Sequence, residues 1–204
     1  MNTNAIRGRN VTGLIVVMLI MAFIVAVGTA LVSLTGMGTK MAGSLRTYDD
    51  ALGAAEAGFE ASRSVIEGSF VSGAWTTFDR HYVDQPTGID LPLQSGNPNP
   101  SYFRCRTDEQ LLSDFDSNGD GTPNVSNLLF FQQPYIVSQY GGMVTKYVYT
   151  AFLIDDDAAA NPSNRDHSSA LLVVIGSVRD GTRVLKSSRL EVNLAVAAGG
   201  KGKS

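Results

Sequence analysis

The chain has 204 residues and a formal net charge of −3, with 16 Lys and Arg against 19 Asp and Glu. No concentrated basic field is present to hold a phosphate backbone, which argues against nucleic acid as a partner. The lone cysteine, Cys105, cannot form an intramolecular disulfide, and His81 and His167 are too few for a zinc or haem ligand set.

Between Arg9 and Lys40 no residue is charged, and the run from Val11 to Leu34 is almost wholly apolar. At about 1.5 Å per residue this makes ~36 Å of helix, enough to cross a hydrocarbon core of about 30 Å. A cleaved secretory signal has an apolar region of only about 7–15 residues, so the run is too long for one. Arg7 and Arg9 precede it, and the positive-inside rule leaves them in the cytoplasm and sends the following domain across the membrane. Residues 14–38 are therefore read as a transmembrane helix. Gly28, Gly36 and Gly38 each lower helix stability by about 1 kcal/mol relative to alanine. They serve either local unwinding or close packing against another helix.

Beyond Lys40, the residues Met41, Leu45, Tyr48, Leu52, Ala55, Phe59, Ser62 and Ile66 recur in steps of four and three, which is one face of a helix. The stripe one position on, Asp49, Gly53, Glu56, Glu60, Arg63 and Glu67, is polar. No proline occurs before Pro86, so residues 39–68 are predicted to continue the membrane helix as an amphipathic half. Its packing face is expected to be Met41, Leu45, Tyr48, Leu52, Ala55, Phe59 and Ile66, laid on a globular domain.

The stretches MAGSLR at 41–46 and ALGAAEAGFE at 51–60 follow an arginine-containing leader, a glycine and the uncharged apolar run. In this order they resemble the N-terminal region of PilX-type minor pilins of type IV pili. The resemblance covers about the first 65 residues. It implies that a prepilin peptidase removes residues 1–13 by cutting after Gly13, leaving Leu14 as the first mature residue. Cutting after Gly8, with Arg9 left first, is the alternative. It also implies partners: other minor and major pilins, an inner-membrane pilus assembly platform, and membrane lipid. The expected location is the bacterial inner membrane and then the pilus. Most pilins carry a glutamate five residues into the mature chain; here that position is Met18, or Gly13 for the earlier cut. Without that buried carboxylate the chain avoids a desolvation cost and loses a registration device, which points to a tip or initiation subunit. A type II secretion pseudopilin and a membrane-tethered binding or sensor domain remain the alternatives.

Residues 69–198 read as the globular part. From Ser69 to Asn127 glycine, proline, asparagine and serine predict turns and irregular connections. Strands are predicted at Leu128–Phe131, Lys146–Ile154, Ala170–Val178 and Arg183–Val196, the last two joined as a hairpin through Arg179, Asp180 and Gly181. An antiparallel sheet packed on the long helix, α+β in class and pilin-like, is the expected fold. Residues 199–204 are expected to be a flexible tail.

The sequence DFDSNGDG at 114–121 offers Asp114, Asp116, Asn118 and Asp120 as candidate calcium ligands, because alternate carboxylates and amides around a glycine turn can wrap a cation. The twelfth position of such a loop is Val125 or Asn127 instead of glutamate, and a solvated Asp/Asn/Gly turn is the equal alternative. Asp155, Asp156 and Asp157 with Asn161, Asn164 and Asp166 form a second acidic loop, which the resemblance to minor pilins makes a fallback ion site and which otherwise reads as a guard against edge-strand pairing. No cofactor is otherwise required. The chain carries no nucleophile elbow, phosphate loop or H-E-x-x-H, and His81 and His167 with Asp79, Asp84 or Asp166 make no convincing triad, so no enzyme is expected. Cys105, between Arg104 and Arg106, is either a reactive thiolate or a structural residue.

Overall fold

The computed structural model describes residues 4–155 and 167–196, with side chains described from Met18 onward. The chain divides into two compact units, residues 1–46 and 47–204. Helix α1, Asn4–Val71, contributes to both.

In the first unit every side chain from Met18 to Arg46 is exposed. The helix runs unbroken through Gly28, Gly36 and Gly38, each of which has open space where a side chain would be. Propagating an established helix adds one hydrogen bond per residue, which outweighs the single-glycine penalty. The hydroxyls on this segment are satisfied by the helix itself: Thr29 Oγ1 donates to the Val25 carbonyl at 3.0 Å, and Thr35 Oγ1 to that of Leu31 at 2.8 Å. Such internal pairing is what a polar group requires in an apolar surrounding. At its other end α1 stops where Gly73 takes a φ of +75°, and Ser72 N–H closes on the Gly68 carbonyl at 3.0 Å.

The second unit is built on a four-stranded antiparallel sheet. A two-residue ladder, β1 (Leu93–Gln94) and β2 (Asn97–Pro98), precedes it in the chain. The sheet has the order β3 (Leu128–Pro134), β4 (Tyr147–Ile154), β5 (Ser169–Asp180), β6 (Arg183–Ala195). The β5–β6 hairpin pairs Asp180 with Arg183, so its turn residues are Gly181 and Thr182, one step later than the sequence suggests. Both faces of the two central strands are covered. Phe152, Ile154, Leu171, Val173 and Ile175 face a cluster with Val83, Ile89, Phe103, Leu111 and Phe115. The alternate residues Tyr149, Ala151, Leu153, Leu172 and Val174 face a second cluster that includes Ile66 and Phe78. Burial on two faces explains why β5 reads as an unbroken apolar run instead of alternating.

The helical part of this unit packs on the sheet with a face that shares Ala55, Ser62 and Ile66 with the expected one but is shifted toward small residues. The buried positions are Ala51, Ala54, Ala55, Gly58, Ser62 and Ile66; Leu52 and Phe59 are half-buried, and Tyr48 is 43% exposed. Met41 and Leu45, in the first unit, are 67% and 56% exposed. The reason is distance. A Cβ on Gly176 of β5 would lie 2.1 Å from the Ala51 carbonyl oxygen and 2.3 Å from the Ala55 nitrogen, and one on Gly58 would lie 2.7 Å from the Tyr149 ring. Backbone so close to backbone leaves room for alanine, glycine and serine at the centre of the contact and moves the large residues to its flanks. The buried Ser62 hydroxyl is satisfied by the Gly58 carbonyl at 2.7 Å.

The region expected to be irregular holds a helix. α2, Asp108–Phe115, starts with a capping box in which Thr107 Oγ1 accepts from Gln110 N–H and Gln110 Oε1 accepts from Thr107 N–H. Asp108 and Glu109 in its first turn complement the helix dipole, and Leu111, Leu112 and Phe115 are buried. Arg189 of β6 fastens its start, donating from Nε to Asp108 at 2.7 Å and from its terminal nitrogens to the Phe103 and Arg106 carbonyls at 3.1 Å each.

Gly176→Ala is expected to destabilise the protein by about 2–3 kcal/mol or to prevent folding, because the rigid backbone opposite cannot yield. Gly68→Ala, where no atom lies within 4 Å, should be neutral or stabilising by up to about 1 kcal/mol. Thermal melts of the two variants in detergent, read side by side, check the assignment.

Candidate functional site

The most demanding feature of the molecule is the exposed apolar surface of α1. Between Met18 and Leu45 fourteen large apolar side chains are exposed, among them Leu19, Phe23, Val32 and Leu34. Fully covering such a side chain is worth about 1.5–3 kcal/mol, so the set represents roughly 20 kcal/mol or more. That exceeds the net stability of about 5–15 kcal/mol typical of a folded domain. The segment therefore has to be covered by lipid or by other apolar helices. The helix is long and apolar enough to cross a membrane by length and composition, with a best-window mean hydropathy of 2.4.

Gly8, Arg9, Gly13 and Leu14 fall within α1, and their side chains lie outside the described residues. Met18, the position where a pilin glutamate is expected, is exposed on the helix. Chain order thus places the uncharged run, the MAGSLR stretch and the ALGAAEAGFE stretch on one helix, the last of them forming the small-residue contact with β5.

Residues 11–60 match the PilX N-terminal family. The match covers the apolar run and the alanine-rich start of the sheet contact, and it is consistent with a PilX-type minor pilin, a pilin related to type IV pili. No curated protein and no solved structure matches the chain. The PilX pilin family is structural, and it suggests interaction with other pilus components; with the apolar helix, the match is consistent with membrane association.

The proposed cation loop is organised around its own backbone. Both Asp116 carboxylate oxygens accept loop N–H groups, from Asp120 at 3.1 Å and Gly121 at 3.0 Å. Asp120 accepts from Thr122 N–H at 2.8 Å, from the Thr122 hydroxyl and from Asn118 Nδ2 at 2.8 Å. These bonds, the Thr122 hydroxyl first, hold the Asp120 carboxyl below its ordinary pKa. Asp114 pairs with Arg106. Among the described residues no three His, Cys, Asp or Glu are gathered into a group that could hold a metal ion. Asp116 and Asp120 thus belong to a structured turn that accepts hydrogen bonds from its own backbone and side chains, with Asp114 at the end of α2 paired to Arg106. Of the second acidic loop only Asp155 is described, buried at the end of β4; residues 156–166 lie outside the described residues.

The histidines are brought close to aromatic rings. His81 stacks on Trp75 with centroids 3.8 Å apart and rings 18° from parallel. Burial lowers its pKa from 6.5, with Asp79 opposing the shift. His167 Nε2 lies 3.7 Å from the Asp79 carboxylate. Cys105 is an exposed free thiol. Among the aromatics, Phe103 is buried and Tyr140 is 89% exposed.

Because desolvation disfavours the imidazolium, His81 is expected to stay neutral in the fold to below pH 6.5, and its contribution to stability is lost as the pH falls through its lowered pKa. Trp75→Ala opens the ring to water and should move the His81 titration midpoint up toward 6.5, as read from its ring-proton shifts by NMR. A midpoint unchanged by the substitution would show that the stack is not the source of the burial.

Proposed function

We propose that this chain is a minor pilin that takes part in starting or capping a type IV pilus, with a structural and non-catalytic role. The observation that carries the proposal is the match of residues 11–60 to the PilX N-terminal family on a helix whose large apolar side chains from Met18 to Leu45 are exposed. Before assembly, lipid covers this surface, and the protein waits in the inner membrane with its N-terminus in the cytoplasm. On assembly, the apolar helices of other minor and major pilins replace the lipid, and the inner-membrane platform performs the transfer. A helix that is apolar on all sides suits both environments, since moving it from lipid to a helix bundle leaves little apolar surface to rehydrate. Met18 in place of the glutamate supports a tip or initiation role. A subunit at the start of a filament has no preceding neighbour whose amine needs a buried carboxylate, whereas an unpaired carboxylate in hydrocarbon costs several kcal/mol.

The test is the N-terminus of the protein recovered from membranes and from sheared filaments, measured by mass spectrometry with and without the prepilin peptidase. A peptidase-dependent start at Leu14 is expected. A start at Arg9 would move the processing site to Gly8, and an intact Met1 in both strains would exclude a pilin.

A further inference from the structure

The connection between β3 and β4, residues 135–146, is a built loop whose tip is apolar. Val137 and Met143 pair across an antiparallel bridge, so their side chains lie side by side on one face. Beyond the bridge, Ser138 N–H donates to the Gly142 carbonyl at 2.7 Å, and the Ser138 hydroxyl accepts from the N–H groups of Tyr140 at 3.3 Å and Gly142 at 3.2 Å. Gly141 closes the turn with a φ of +80°. This network holds the tip in one shape with Val137, Tyr140 and Met143 all exposed. Between Asp120 and Lys146 no residue is charged. Single exposed apolar residues need no explanation, but three gathered on one structured, uncharged loop mark a contact surface.

The place of the loop within its unit points to what it contacts. Along β5 the helix contact runs from Val174, beside Gly58, to Gly176, beside Ala51 and Ala55. Decreasing number in α1 therefore goes with increasing number in β5, toward the end of the sheet where Tyr147 pairs with Val178 and β5 turns into β6. Loop 135–146 leaves β3 and enters β4 at that same end, and a Cβ on Gly53 would lie 3.5 Å from the Tyr135 hydroxyl. It is also the end at which the chain enters the unit, at Thr47. From Tyr135 to Tyr140 the chain can extend up to about 17 Å, whereas the helix from Gly53 back to Thr47 rises about 9 Å, so the loop is long enough to pass the level of Thr47.

Thr47 in turn follows Lys40, where the uncharged run ends, by seven residues, or about 10 Å of helix. A run that crosses the hydrocarbon core thus delivers this end of the unit to the neighbourhood of the polar headgroup layer. Tyrosine suits that layer, with an apolar ring and a hydroxyl that reaches water. Tyr48, exposed on α1 next to Thr47, adds a second ring at this end. Charged groups of both signs lie nearby, Lys146, Arg179 and Arg183 against Asp49, Asp50, Asp116 and Asp180, so the contact rests on the apolar tip and not on charge.

We propose that the tip of loop 135–146 is a lipid-contact site: Val137, Tyr140 and Met143 enter the headgroup layer of the bilayer that α1 crosses and give the second unit its own attachment to the membrane. The proposal rests on the reading of the uncharged run as a membrane span.

The experiment uses the full chain, one copy per phosphatidylcholine nanodisc, with Cys105→Ser removing the native thiol. A nitroxide is placed in separate variants at Gln139→Cys, Ser72→Cys and Val32→Cys, and power-saturation EPR compares collision with oxygen, enriched in lipid, against collision with a water-soluble nickel chelate. Gln139 is exposed beside Tyr140 and leaves the three apolar side chains in place; Ser72, just past the far end of α1, is the solvent reference, and Val32 reports the span. The oxygen-to-nickel ratio is expected to be high at Val32 and, at Gln139, at least about threefold above that at Ser72. Replacing Val137, Tyr140 and Met143 together by serine should bring the Gln139 ratio down to the Ser72 value. If that variant fails to fold, Tyr140→Ser alone must lower the ratio. Equal ratios at Gln139 and Ser72, with Val32 in lipid, overturn the lipid contact and leave the span intact; a Val32 ratio equal to that of Ser72 overturns both. A Gln139 ratio that the serine substitutions leave unchanged also overturns the proposal. So does a Gln139 label that is solvent-like in the single-copy nanodisc and immobilised only in vesicles holding several chains, which would make the tip a contact between subunits.

Discussion

The contact on which the second unit depends is the close approach of α1 to β5, where Gly176 lies against the backbone of Ala51 and Ala55 and Gly58 lies against Tyr149 and Val174. One glycine on the strand and one on the helix remove side chains that would otherwise hold the two elements apart. The face of α1 presented to the sheet follows from that: small residues at the centre, Leu52 and Phe59 at the flanks. It also fixes which of the alternating β5 residues lie under the helix and which lie under α2, since a strand's side chains alternate strictly.

The opposite face of the sheet is closed by a long connection, and polar links do much of the fastening there. Arg189 bridges β6 to the start of α2 through Asp108 and two carbonyls, and Arg104 reaches Glu191 at 2.7 Å. The Arg189 cluster is half-buried and each of its three nitrogens has an acceptor, which is the condition under which an ion pair fixes geometry without a large desolvation penalty. The Arg179 corner differs, its guanidinium donating to two neutral acceptors, the Gln132 side chain and the Thr182 carbonyl. Arg189 is thus a fastener between the sheet and α2.

The membrane and assembly reading rests on a different kind of physics. No specific contact is needed to conclude that the surface from Met18 to Leu45 must be covered; the magnitude of exposed apolar area decides it. Length and charge decide the rest of that segment, because an uncharged run longer than a bilayer core has few other uses. The family match at residues 11–60 is consistent with one of those uses, a PilX-type pilin.

Sequence alone determined the long helix, the four strands, the β5–β6 hairpin and the α+β class, because each rests on local periodicity, turn chemistry or the absence of proline. It also carried a sign that went unread: the Thr107-to-Gln110 spacing is a capping box, and the glycine and proline around it hid an eight-residue helix. What only the tertiary structure decided are the quantities set by neighbours distant in the chain. Large apolar residues at helical spacing identify a helix face, but which face goes inward depended on Gly176, more than a hundred residues away. Alternating acids at 114–121 suggest a cation loop, but whether their oxygens point to a common centre or to their own backbone depends on the turn geometry. The Arg179 contacts carry no sequence signal, since Gln132 reaches it from β3, a strand distant in the chain.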